Sequence, residues 1–304
     1  MVRRALSTTI AIALTAICAV PGSAQRPQDP ADALRGMFEQ MGQQANQFMP
    51  GMFSELTAQQ MAELEKVVIS PREEADFGSQ VIQNYESSLR AQHQKLTRQG
   101  SEVDYLFALI ERVRPLMSKA GRYPKIDVAL VEIESIDAYS VPGGHLIFTS
   151  GLMKNVESEA ELVGVIAHEL SHLDRGHQLL MLKQLKTAGR VGDLRSGMLW
   201  VSTMAKPFRP EFESQADADA VKWMAAAGYD PRQLAKLLKR WAVSQDQNPT
   251  WTRMLPSFAR SHPDSGRRSA AVLDHYKRLR VEPGRLVVGE ENLAKRQPAG
   301  AGPP

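Results

Sequence analysis

Leu162-Val163-Gly164-Val165-Ile166-Ala167-His168-Glu169-Leu170-Ser171-His172 decides how the rest of the chain is read. The run before His168 is apolar without a break, and it predicts a buried helix. His168 and His172 are four apart, so on a helix they share one face, one turn above the other. Two neutral imidazoles at that spacing can hold one zinc ion. Glu169 lies beside them, where a carboxylate can take a proton from a water that the metal activates. A carboxylate among apolar neighbours is costly to bury unless it has a partner or a task. Only 7 histidines occur in 304 residues, which makes the spacing more telling.

Ser158-Glu159-Ala160-Glu161 sets the start of this helix as a capping box, with the Ser158 hydroxyl accepting from the third helical amide and Glu161 reaching back. The expected end is Gly176. His177 follows, either as a group behind a ligand or as a cap on the last carbonyls.

A catalytic zinc needs a third ligand and an open fourth position. Phe212-Glu213-Ser214-Gln215-Ala216-Asp217 is the best source, because Glu213 and Asp217 again share one face of a helix that continues to Ala227. One carboxylate can bind the metal while the other orients a ligating imidazole. Asp230-Pro231 opens a further helix, and Arg267-Arg268 a last one to about Arg280. His262, in a loop before it, could reach the metal or the substrate oxyanion, or be a plain loop residue.

Upstream, helices are expected over 58–68, 72–97 and 102–119. Ile126 to Ile133 alternates apolar and polar and predicts a strand. Pro142-Gly143-Gly144 is turn chemistry, and His145 to Thr149 predicts a second strand. Gly144, His145, Leu146, Ile147 and Phe148 are the candidate sheet edge that pairs with substrate backbone; an ordinary hairpin is the competing reading.

Residues 1–24 have the form of a cleaved signal peptide. Arg3 and Arg4 start it, Ala5 to Val20 is apolar, and Gly22-Ser23-Ala24 precedes Gln25. The expected location is therefore the periplasm. Residues 25–56 form a Gln/Met-rich leader. A flexible linker and a peripheral membrane contact through its Met and Phe residues are both open. Cys18 is the only cysteine, which excludes an intramolecular disulfide and a thiolate zinc site. The net charge of +3, from 37 basic and 34 acidic residues, is no footprint for nucleic acid. The expected organisation is α+β: a mainly helical domain over 57–295, a small β-sheet beside the zinc helix, and a disordered tail over 296–304.

Taken together and in order, these motifs resemble a known family. They are Pro142-Gly143-Gly144, His168-Glu169-x-x-His172 with His177, Glu213-x-x-Ala216-Asp217, Gly228-Tyr229-Asp230-Pro231, and Ser261-His262-Pro263 with Arg268. The chain is similar over roughly residues 70–280 to the zinc metallopeptidases that include HtpX, the CAAX prenyl endopeptidase and the BepA-type periplasmic proteases. The resemblance implies that His168, His172 and Glu213 ligate one Zn2+ per chain. It implies Glu169 as general base and Asp217 behind the ligands. It also implies that His262 faces the metal, where it could occupy the fourth position and hold the enzyme at rest. Asp137 departs from the Asn usual in the strand motif. No membrane-embedded helices and no helical-repeat domain are expected. The implied activity is endoproteolysis of protein or peptide substrates, misfolded envelope proteins among them. A zinc-containing binding or assembly factor with latent peptidase activity is the alternative.

Overall fold

The computed structural model describes residues 56–189, 209–246, 265–281 and 286–300. The signal-peptide stretch, nearly all of the leader, and His262 lie outside these residues.

Helices α1 (Ala58–Glu65) and α2 (Pro71–Ala91) each begin on a capping box, Thr57 with Gln60 and Ser70 with Glu73. Each pairs a side-chain acceptor with an otherwise orphaned helical amide. α2 ends earlier than the expected 97. His93 takes a left-handed φ of 58°, and Leu96–Thr97 then form strand β1, antiparallel to β2 (Asp127–Val131). α3 (Ser101–Val113) also stops short of its expected end, because Pro115 has no amide to continue it, and a single 3-10 turn follows. α1 closes at Glu65, ahead of Pro71.

Strands β3 (Ala138–Val141) and β4 (His145–Thr149) form a hairpin about Pro142-Gly143-Gly144. Gly143 and Gly144 both sit at φ 86°, which a side chain would strain. The sheet order is β1-β2-β4-β3, with β2 and β4 parallel. This corrects the expected substrate edge. β4, from His145 through Phe148, is hydrogen-bonded on both sides, so its backbone is already spent. Among the described residues, β3 has a strand neighbour on one side only.

The two faces of the sheet feed two clusters. Val128, Leu130, Leu146 and Phe148 point into the main core, and Ala129, Val131 and Ile147 into the second. Period-2 alternation places them so. The main core is built on α5 (Glu159–Arg175), which packs against α3, β3, α7 (Pro210–Ala226) and α8 (Arg232–Asp246). The second cluster lies under α2 and α6 (Leu180–Thr187). Short helix α4 (Ser150–Asn155) links β4 to α5. α9 (Ser265–Leu279) lies along α8 and also touches α7.

Every residue of α5 from Glu159 to Asp174 is buried. Each fully buried Leu, Val or Ile contributes about 1.5–3 kcal/mol, so this helix is the most strongly held element. A Cβ on Gly164 would stand 3.0 Å from the Leu234 Cβ and 3.3 Å from the Met224 sulfur, so its absence lets α7 and α8 close in. The cap is as expected at Ser158, whose hydroxyl accepts from the Glu161 amide. Glu161 differs: its carboxylate takes the Glu157 amide and the Arg240 guanidinium instead of the Ser158 amide.

A strap from residue 286 through α10 (Glu290–Lys295) to Gly300 closes the other side. The Gly289 and Val288 carbonyls accept from the amides of Glu159 and Ala160, the first turn of α5. Arg296 pairs with Glu102, and the Ala299 amide donates to Glu159. Packing therefore reaches Ala299, inside the stretch expected to be a disordered tail. Among the described residues, no helix is long and apolar enough to cross a membrane.

Candidate metal centre

His168, Glu169 and His172 come from the middle and last turns of α5, and all three are wholly buried. Glu213 and Asp217 come from the first two turns of α7, one turn apart on the face that meets α5. The imidazole Nε2 atoms of His168 and His172 stand 3.0 Å from each other. Each is 3.4 Å from a different oxygen of Glu213. Among the described residues these three form a group that could hold a metal ion. Donors about 2.0–2.2 Å from zinc at tetrahedral angles lie roughly 3.3–3.6 Å apart, so the three separations are close to what one zinc would need.

The surroundings fix how these donors point. Asp217 Oδ1 lies 3.0 Å from His168 Nδ1, so it holds the proton there and leaves Nε2 a lone pair. Asp217 is itself gripped by Arg268 of α9, through Nε at 2.8 Å and Nη2 at 2.7 Å. Arg268 Nη1 also reaches Glu213 at 3.0 Å. Behind the second ligand, His177 Nδ1 is 2.8 Å from His172 Nδ1. Gly176, left-handed at φ 72°, ends α5 and turns the chain so that this ring folds back onto the helix it follows. Gln215 Oε1 meets the far nitrogen of His177, Nε2, at 3.0 Å, and Phe212 stacks on the ring at 4.1 Å.

Charge leads to the same reading. Glu169, Glu213 and Asp217 are three buried carboxyl groups against one buried guanidinium, Arg268. Burial alone would raise Asp217, yet the Arg268 charge and its hydrogen bonds hold it down to about 2. Burial would lower Arg268, but Asp217 and Glu213 keep it well above its ordinary value. Burial and Arg268 press His168 down, but Glu213 and Asp217 outweigh them and push it up to about 9. A proton is drawn to the place where the lone pairs meet. A divalent cation satisfies the same deficit and competes for the same electrons. His177 goes the other way. Burial lowers it to about 4, against the bond to Gln215, so it remains a neutral imidazole.

The structure thus brings together His168, His172, Glu213, Glu169, Asp217 and His177. It places β4 inside the sheet, and His262 is not among the described residues. Two residues given no individual role from the sequence stand out. Arg268 closes the ion network; its place in the last motif was the available signal. Gln215 carried no signal beyond lying between Glu213 and Asp217.

Fold and site together define a metallopeptidase. A helix carrying His-Glu-x-x-His faces a second helix carrying Glu213, the third side chain of a group that could hold a metal ion, with a small sheet alongside. The chain belongs to peptidase family M48, whose sequence model matches residues 107–275, more than half of the chain. It is similar to the β-barrel assembly-enhancing protease of Yersinia pestis, 27% identical in an alignment of 157 positions that covers 44% of this chain and 31% of that protein. It is also similar to the mitochondrial metalloendopeptidase OMA1 of Arabidopsis thaliana, 28% identical in an alignment of 119 positions that covers 35% of this chain and 24% of that one. The β-barrel assembly-enhancing protease of Escherichia coli K12 is 24% identical in an alignment of 131 positions that covers 36% of this chain and 27% of that one. The matched stretch therefore spans only a quarter to a third of these relatives.

Proposed function

We propose that the protein is an exported, zinc-dependent endopeptidase of the periplasm that cuts misfolded or misassembled envelope proteins. One observation carries the zinc reading: two buried imidazole lone pairs and both oxygens of one buried carboxylate converge, with a second buried carboxylate, Glu169, next to the first imidazole. The envelope role is supported by the name of the Yersinia and Escherichia relatives, and export by the form of residues 1–24.

His168, His172 and Glu213 would hold the ion. Zinc, when bound, polarises the scissile carbonyl and lowers the pKa of the attacking water. Glu169 takes that water's proton and passes it to the leaving amine. Asp217 keeps the His168 proton on Nδ1, and Arg268 keeps Asp217 ionised. Among the described residues no strand lies beyond β3, and β3 packs against α5, so an extended substrate would add its strand there.

The test is Glu169→Gln in the exported, mature protein. Gln keeps the shape but cannot accept the proton. Zinc should remain near one per chain, while cleavage of an unfolded substrate falls by about three orders of magnitude. Undiminished cleavage would defeat the assignment of Glu169 and favour a binding or assembly factor.

A further inference from the structure

We propose that Gln215 is a positioning residue of the metal centre. Through His177, it fixes His172 in the tautomer whose Nε2 lone pair faces the metal. The proposal rests on the metal-site reading above, and its test separates the two.

The chain of contacts is short: His172 Nδ1 to His177 Nδ1 at 2.8 Å, then His177 Nε2 to Gln215 Oε1 at 3.0 Å. A single proton lies in the first contact, and by itself it could sit on either ring. The second contact decides. An amide oxygen only accepts, so His177 Nε2 must carry the hydrogen. Arg175 Nη1, which can only donate, approaches the same Gln215 atom at 3.5 Å and identifies it as the oxygen. A neutral ring with its hydrogen on Nε2 has a lone pair on Nδ1. That lone pair accepts from His172 Nδ1–H, which leaves His172 Nε2 as the bare donor.

The reversed chain shows what Gln215 excludes. If His177 carried its hydrogen on Nδ1, His172 would carry its own on Nε2. A hydrogen would then point at Glu213 and His168, where the metal belongs. At the other end, His177 Nε2 would meet the Gln215 oxygen lone pair to lone pair. The amide makes that arrangement unfavourable before any metal arrives.

The two ligand histidines are thus set by different devices. His168 uses a carboxylate, Asp217, backed by Arg268. His172 uses a neutral relay that ends in an amide. The first six residues of α7 give Phe212, whose ring lies within 3° of parallel to that of His177, then Glu213, then Gln215. One turn of helix therefore presents the third ligand and sets the second.

The experiment uses the mature protein with 15N-labelled histidine. Long-range proton–nitrogen spectra of the metal-free form should show His177 with its hydrogen on Nε2 and His172 with its hydrogen on Nδ1. Zinc affinity is then measured by competition with a chelator. Gln215→Met removes the acceptor at similar length; zinc should bind ten- to a hundredfold more weakly, with the two rings in mixed tautomers. Gln215→Glu keeps an acceptor and should bind within a few fold of wild type. A wild-type His177 with its hydrogen on Nδ1 overturns the relay, whatever the variants do. So does a folded Gln215→Met with unchanged affinity and tautomers, or a Gln215→Glu as weak as Gln215→Met. A wild type that binds no zinc would defeat the metal reading and leave the tautomer result standing by itself.

Discussion

Glu159 and Glu213 are both buried acids that meet α5, one at each end of it, and they do opposite things. Glu159 sits in the first turn. Its oxygens are met by the hydroxyls of Tyr105 and Tyr229, each at 2.8 Å, and by the Ala299 amide at 2.8 Å. Every partner is a hydrogen-bond donor, and the positive end of the helix dipole lies beneath. Burial and the Glu159 carboxylate hold both phenols protonated, well above their ordinary pKa. Glu213 accepts from Arg268 and also stands 3.4 Å from the Nε2 atoms of His168 and His172. A buried acid ringed by donors is finished and structural. A buried acid that converges with two imidazole nitrogens offers further lone pairs to a cation, and that is what a metal site needs.

The largest effect that would sharpen this contrast is at Glu213. Glu213→Ala should lose zinc from about one per chain to nearly none, and proteolysis by more than a thousandfold, measured by metal analysis and peptide cleavage. Full zinc retention would erase the distinction between the two acids. Glu159→Gln should do the reverse. It turns an amide NH2 toward one of three buried donors and costs about 2–3 kcal/mol, read as a melting temperature lower by roughly 5–10 °C. Its zinc stoichiometry should stay at wild type once folded; loss of metal without loss of stability would break the comparison. Glu73, half-buried on α2, marks the small end of the scale. Hydrogen bonds from Lys186 and Ser70 hold it at about 2 instead of 4.5. Its pKa is depressed on folding, so what it contributes is present above pH 4.5 and is lost as pH falls toward 2. The stability gap between wild type and Glu73→Gln should be slight, close over that window, and shrink in high salt.

Much of the site was legible because it is local. The four-residue spacing of His168 and His172, the Ser158 cap and the Gly176 stop all lie within one helix, where side-chain periodicity is a fixed property of the backbone. Glu213 and Asp217 were legible as a pair for the same reason. Strand order was not, since alternation tells which face a residue takes but not which strand lies beside it. That β4 pairs with both β2 and β3 depends on a parallel crossover that no local pattern encodes. Glu159 had no role in the sequence beyond lying between Ser158 and Glu161 of the capping box, because the donors that define it lie 54, 70 and 140 residues away. Gln215 looked like one more polar residue on an acidic helix, since its meaning depends on a ring brought back by Gly176.

The strap has a consequence in time. The first two amides of α5, and one of the three donors to the Glu159 carboxylate, find their partners in chain made some 130 to 140 residues later. A nascent chain can write out His168 to His172 long before it can close the turn that holds them. Contacts of such long sequence separation form late. The helix that carries His168 to His172 is thus synthesised well before the residues that close its first turn.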